Sequence, residues 1–190
     1  MDSQPPIINP SVPFLGYIFG GLSRGRMVII QGQVRPKAQS ISQYPSVPPS
    51  ISQYPPVPPP SSHTPGLAGC HGEGQRFTVA LRCMGGDVAL RLNARLGWGV
   101  TLGCNAQLGG LWGHEELCTP PPRGLSPGGA LEILINAQER GYQVAVNGQH
   151  ALEFRHRLPL NSVQALDVTG DVTLTCVTFT GPPGGAGGDI

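Results

Sequence analysis

A chain of 190 residues with a formal charge of +1 has room for one ordinary domain with a sizeable core, and little room for a second. Its 12 Lys and Arg are spread along the chain and nearly balanced by 11 Asp and Glu, so the long-range field that draws a polynucleotide is absent and nucleic acid is excluded as a partner. No run approaches the roughly 18 apolar residues that cross a bilayer, and the start, MDSQPPIINPSVPF, lacks the basic-then-apolar order of a secretory signal. A soluble cytoplasmic or nuclear protein without membrane insertion is expected, and any export to the extracellular space would proceed without a signal peptide.

The first element in the chain is a strand, RMVIIQGQV at 26–34. Residues 35–74 then turn to Pro, Ser, Gly and Gln and contain a decapeptide duplication, SISQYPSVPP at 40–49 and SISQYPPVPP at 50–59. Proline at this density removes backbone donors and fixes φ, which excludes a helix or a central strand and leaves polyproline II or disorder. Strand signals resume with RFTVALR (76–82), DVALRL (87–92), GVTLGC (99–104), ALEILI (130–135), YQVAVNGQHALEF (142–154), VQALDV (163–168) and DVTLTCVTF (171–179). Each alternates apolar with polar residues, and Gly, Asn or Pro punctuates them. Asn147-Gly148 suits a two-residue type I′ hairpin turn, and Thr169-Gly170 is a weaker version of the same signal. With no sustained 3.6-residue period, the pattern predicts an all-β protein, a two-sheet antiparallel β-sandwich or a barrel. The Pro-rich tract then reads as a loop insertion at 35–74 in a domain at 7–180, followed by a flexible Gly-rich tail at 181–190. Five cysteines, Cys70, Cys83, Cys104, Cys118 and Cys176, are odd in number and widely spaced, which predicts reduced thiols rather than a disulfide framework or a zinc site.

Polar and aromatic residues concentrate in LRLNARLGWGVTLGCNAQLGGLWGHEEL, 90–117. In the first part Val88, Leu90 and Leu92 share one face, so Arg91, Asn93 and Arg95 project together from the other. In VTLGCN the inward row is Val100, Leu102 and Cys104, and the outward row is Thr101, Gly103 and Asn105. If these two segments pair, Asn105 joins the three polar residues, and Trp112 and Glu115 follow after the Gly109-Gly110 turn. Fork-shaped donors, an amide, a carboxylate and an indole are what a sugar requires: hydroxyls that donate and accept, and a C–H face that stacks on an aromatic ring. An ordinary solvated sheet face explains the same alternation.

The motifs LRLNARL, CNAQLGGLWGHEE, FLGYIFGGLSRGRMVIIQG and YQVAVNGQHALEFRHRL together resemble the galectins, whose signature runs H-x-N-x-R, V-x-N, W-G-x-E-x-R and then F-x-V-x-V-N-G. The resemblance implies a jelly-roll sandwich of the galectin and concanavalin type and a lectin for β-galactosides of the lactose and N-acetyllactosamine kind on glycoproteins or glycolipids. It implies that Asn93 and Arg95 hydrogen-bond the axial 4-hydroxyl and ring oxygen of a galactose, that Asn105 and Glu115 take the 6-hydroxyl, and that Trp112 stacks on the ring. Arg95 and Glu115 would form a charge-assisted pair. Three positions depart from the pattern: Arg91 stands for the family's histidine, Ala94 for its proline, and Leu117 for the closing arginine that braces the glutamate. These departures keep a rival open, a sandwich with weak or lost galactoside binding that works through protein contacts.

Other chemistries find less support. His63, His71, His114, His150 and His156 are scattered without ligand spacing, so neither a metal nor another cofactor is expected. Ser126 and Ser162 lack a nucleophile-elbow context, and the neighbouring Glu115 and Glu116 would point to opposite strand faces, so no catalytic residue is assigned and no enzyme is expected. The segment FRHRL at 154–158 reads as a solvated face. The duplicated PxxP spacing could serve protein partners or self-association. Because the tract has no apolar period to contribute to a core, deleting 36–74 should leave the melting temperature within a few degrees of the parent. A large drop in a thermal melt would show that the tract belongs to the fold.

Overall fold

The computed structural model describes residues 4–37 and 74–181; residues 38–73 of the expected insertion and 182–190 of the expected tail lie outside the described residues. In chain order the strands are β1 (Ile7–Ile8), β2 (Phe14–Tyr17), β3 (Met27–Val34), β4 (Gln75–Cys83), β5 (Val88–Leu96), β6 (Val100–Leu108), β7 (Leu111–Trp112), β8 (Glu116–Leu117), β9 (Ala130–Ala137), β10 (Gly141–Val146), β11 (Gln149–Arg155), β12 (Val163–Gly170) and β13 (Val172–Thr180). A 3-10 turn, Leu160–Ser162, precedes β12. One sheet runs β1-β13-β3-β9-β10-β11, and the other runs β2-β12-β4-β5-β6-β7, with β8 also paired to β6. This is the two-sheet antiparallel sandwich that the alternation predicted.

The core lies between the two inner faces, where each strand delivers every second side chain. Leu90, Leu92, Ala94 and Leu96 of β5 meet Val28 and Ile30 of β3, Ile133 and Ile135 of β9, Tyr142 and Val144 of β10, and Phe154 of β11 in one continuous buried cluster. Burial of each large apolar side chain contributes about 1.5–3 kcal/mol, enough in sum to hold the outer faces in place as rigid polar platforms. Among the described residues Cys83, Cys104, Cys118 and Cys176 form no disulfide with one another; Cys70 lies outside the described residues.

Four short strands, β1, β2, β7 and β8, escape the alternation rule because two to four residues carry too little period to register. The two turn signals part ways. Asn147 (φ 49°) and Gly148 (φ 78°) close the β10–β11 hairpin as expected, and the Asn147 amide also bonds Gly124 O, Ala130 O and the Glu132 N–H. Thr169-Gly170 makes no hairpin. The chain crosses there from one sheet to the other, because β12 pairs with β4 while β13 pairs with β3. Asp171 fixes the corner: its N–H donates to Arg76 O at 2.7 Å, and its carboxylate accepts the Arg76 N–H at 2.9 Å.

Gly148 and Gly170 both have positive φ, but a Cβ on Gly148 meets nothing within 4 Å, whereas one on Gly170 (φ 102°) would collide with Arg76 O. Gly148→Ala should therefore cost only the left-handed backbone penalty, about 1 kcal/mol. Gly170→Ala should cost about 3 kcal/mol through the added clash. Urea unfolding of the two variants measures the difference, and equal losses would contradict the crossing geometry.

Candidate functional site

The candidate residues stand where β4, β5 and β6 run side by side in the seven-stranded sheet. Their register sets three outward rows: Ala80, Arg91 and Asn105; Thr78, Asn93 and Gly103; Arg76, Arg95 and Thr101. Leu117 of β8 extends the middle row beyond Gly103. The even positions of β5 are buried, so Arg91, Asn93 and Arg95 share the outer face. The pairing thus places Arg91, Asn93, Arg95 and Asn105 together, as the alternation anticipated.

Trp112 reaches this face from β7, where it pairs with Gln107. The Arg91 guanidinium carbon sits over the indole, 3.6 Å from the ring centroid, a cation–π contact that orders both side chains. The stack buries Arg91 Nε, which has no hydrogen-bond partner among the described residues. Trp112 keeps 40% of its surface exposed, so part of the indole still faces solvent.

Glu115 approaches from the loop between β7 and β8 and lays its carboxylate over Gly103, where a Cβ would come within 2.8 Å of its Cδ. Glycine at 103 is what lets the carboxylate lie against the sheet beside Asn93. The expected Arg95–Glu115 pair does not form: ion pairs among the described residues are Arg24–Glu139, Arg82–Asp167 and Arg157–Glu116. Arg95 faces Thr101, two positions from Gly103 along β6, or about 7 Å away.

Asn105 shares the register but uses its amide within the protein. Only 6% exposed, it accepts at Oδ1 from the Ala106 N–H (2.8 Å) and from Arg157 Nη1 (2.9 Å), and it donates from Nδ2 to Gly113 O (2.8 Å). At most one N–H remains for anything else. Arg157, read from sequence as part of a solvated face, is instead the brace of this loop. It donates to Asn105 Oδ1, to His114 O at 2.8 Å and to the Glu116 carboxylate at 3.3 Å, with its guanidinium 4.7 Å from the Phe154 ring centroid. Its bonds span 41 to 52 residues of chain, so no local pattern announced it; Phe154 three residues earlier is the one nearby cue. Cys104, turned inward between Gly103 and Asn105, has its thiol pushed up to about 12, first by burial and then by Glu116. It therefore stays a neutral thiol rather than a nucleophile.

Among the described residues no three His, Cys, Asp or Glu side chains are grouped to hold a metal ion, and no helix is long and apolar enough to cross a membrane. Residues 62–179 match the family model for the galactoside-binding lectins. The chain belongs to that family. It is 33% identical over 175 residues to human galectin-4, covering 91% of this chain and 42% of that protein. It is also 32% identical over 185 residues to mouse galectin-12, covering 93% and 46%. The chain thus spans less than half the length of these curated relatives. Among solved structures, sheep galectin-11 in complex with glycerol matches with a TM-score of 0.62 at 26% identity, covering 88% of this chain and 97% of that one. The Caenorhabditis elegans galectin LEC-6 shares the fold, with a TM-score of 0.66 at 18% identity over 92% of this chain and 95% of its own. Lectins of the galectin family bind sugars and do not transform them.

Arg157→Ala would leave the Asn105 oxygen, the His114 carbonyl and Glu116 without their charged donor. The Arg157 side chain is 25% exposed, so the loss is partly screened by solvent and should amount to about 2 kcal/mol. Arg155→Ala, at an exposed neighbour, should fall within about 0.5 kcal/mol of the parent. Denaturant unfolding of both checks this, and equal effects would remove Arg157 from its bracing role.

Proposed function

We propose that the outer face of β4, β5 and β6 binds β-galactosides of the lactose and N-acetyllactosamine type on glycoproteins or glycolipids, without a metal or cofactor. The observation that carries this reading is the register that brings Arg91, Asn93 and Arg95 onto one face, with the Glu115 carboxylate over Gly103 and Trp112 alongside. In this reading Asn93 and Arg95 bond the axial 4-hydroxyl and the ring oxygen, Glu115 accepts from the 6-hydroxyl, and Trp112 stacks on the C–H face. Asn105 acts mainly as the tether of the loop and offers the 6-hydroxyl one amide hydrogen. Discrimination against an equatorial epimer follows because its entry leaves buried donors unpaired, at about 1–3 kcal/mol per group. The domain is a single carbohydrate-recognition unit spanning 7–180, interrupted at 35–74 and followed by a tail at 181–190, with the interruption a surface for protein partners or self-association.

A second reading draws on Arg91. Its guanidinium covers one face of Trp112 and competes with a sugar for the indole, which favours a face that has lost galactoside affinity and serves protein contacts. Retention on immobilised lactose, with elution by free lactose and not by sucrose, separates the two. In the galactoside reading Trp112→Ala abolishes retention, and Arg91→His, by uncovering the indole, strengthens lactose binding by about threefold to tenfold in titration calorimetry. Trp98→Phe is the background for fluorescence, since Trp98 is fully exposed. No retention by either the parent or Arg91→His would leave the protein-contact reading standing.

A further inference from the structure

The turn between β5 and β6 carries a large apolar side chain that the core does not use. Trp98 is fully exposed, and it stands between Gly97 and Gly99, at either of which a Cβ would meet nothing within 4 Å. The indole therefore projects from an open tip and forgoes the free energy that burial of an aromatic ring supplies. Positive charge gathers at its base. Gly74, at the head of β4, packs against the turn: a Cβ there would collide with Leu96 O and lie 2.7 Å from Gly97 Cα. Two residues on, Arg76 pairs with Arg95 in the outward row nearest the turn. Arg35 reaches the same end from β3, since its N–H donates to Asp171 O (2.9 Å) and the Asp171 N–H donates to Arg76 O (2.7 Å). All three arginines are exposed, and none belongs to an ion pair among the described residues. Asp171, the acid beside them, accepts the Arg76 backbone N–H at 2.9 Å.

We infer that this end of the sandwich docks on an anionic bilayer surface, with Trp98 seated among the lipid headgroups and Arg35 and Arg76 against their phosphates and carboxylates. An indole suits that zone because its ring is apolar and its N–H finds an acceptor there. A protein partner would need a packed apolar patch around the ring to form the core of an interface. Gly97, Gly99 and the arginines supply none, whereas the headgroup layer accepts one aromatic side chain by itself. The cations then add attraction wherever the membrane is negative, and none where its headgroups are neutral overall. No helix among the described residues is long and apolar enough to cross a membrane, and the attachment drawn here is peripheral, at headgroup depth. It stands on residues outside the contacts assigned to galactose, so it does not depend on the galactoside reading.

Sedimentation of the full chain with vesicles of phosphatidylcholine, with and without phosphatidylserine, tests this. Neither lipid carries a sugar, so the galactoside site takes no part. Phosphatidylserine should raise the affinity for vesicles about tenfold at low salt, with the gain shrinking at high salt. Tryptophan emission should move to shorter wavelength on binding. Trp98→Ser should remove that shift and lower the affinity about tenfold, while Trp98→Phe, which keeps an aromatic ring, should keep part of it. Arg35→Gln and Arg76→Gln should each lower the affinity about fivefold. Arg155→Gln, at an exposed arginine opposite Gly141, lies at the other end of the sandwich and should leave it unchanged. Thermal melts of these surface variants should overlay that of the parent, which separates loss of docking from loss of fold. No binding to phosphatidylserine vesicles, equal binding to neutral ones, an emission shift that survives Trp98→Ser, or equal losses from Arg155→Gln and Arg76→Gln would overturn the inference.

Discussion

The pairing register of β5 with its two neighbours is the constraint on which the candidate site depends. Asn93 sits between Thr78 and Gly103, so the three polar side chains of β5 emerge on one face while Leu90, Leu92 and Leu96 enter the core. A slip of one residue would bury Arg91, Asn93 and Arg95 and expose the leucines, at a cost of several kcal/mol for each exchange. Core packing and site geometry are thus one fact seen from two sides of a sheet.

A second tier of interactions turns that sheet face into a site. The loop between β7 and β8 brings Glu115 over Gly103, and its anchors are the bonds of Asn105 to Gly113 and of Arg157 to Asn105, His114 and Glu116. Leu117, which the galectin resemblance marks as the place of a bracing arginine, is exposed and apolar here. Arg157 supplies a cation to the same loop and binds Glu116 rather than Glu115, leaving the Glu115 carboxylate without an ion-pair partner among the described residues. That division suits an acceptor kept for a ligand.

Strands longer than about six residues were legible because a half-buried antiparallel strand writes its environment at every second residue. DVALRLNAR and VTLGCN could be placed face by face, and their pairing followed. Asn147-Gly148 was legible because both left-handed positions demand those residues. Thr169-Gly170 looked alike, but whether a turn folds back or crosses to another sheet depends on which strands lie beside it, and the Gly170 conformation answers to Arg76, more than ninety residues away. Arg157 was misjudged for the same reason: a side chain that bonds across 52 residues leaves no local signature. The Arg95–Glu115 pair failed because complementary charge says nothing of the two-residue offset that separates them.

The central claim is that the outer face of β5 and the indole of Trp112 form one galactoside site. The most direct measurement is a lactose titration followed by two-dimensional NMR of the indole and arginine side-chain N–H groups. The account predicts that the Trp112 indole N–H and the Arg91 and Arg95 Nε–H signals shift together along one saturation curve, while Trp98, fully exposed in the β5–β6 turn, stays in place. Shifts confined to Trp98 or to residues of the opposite sheet, with Trp112 and Arg91 unmoved at saturation, would contradict it.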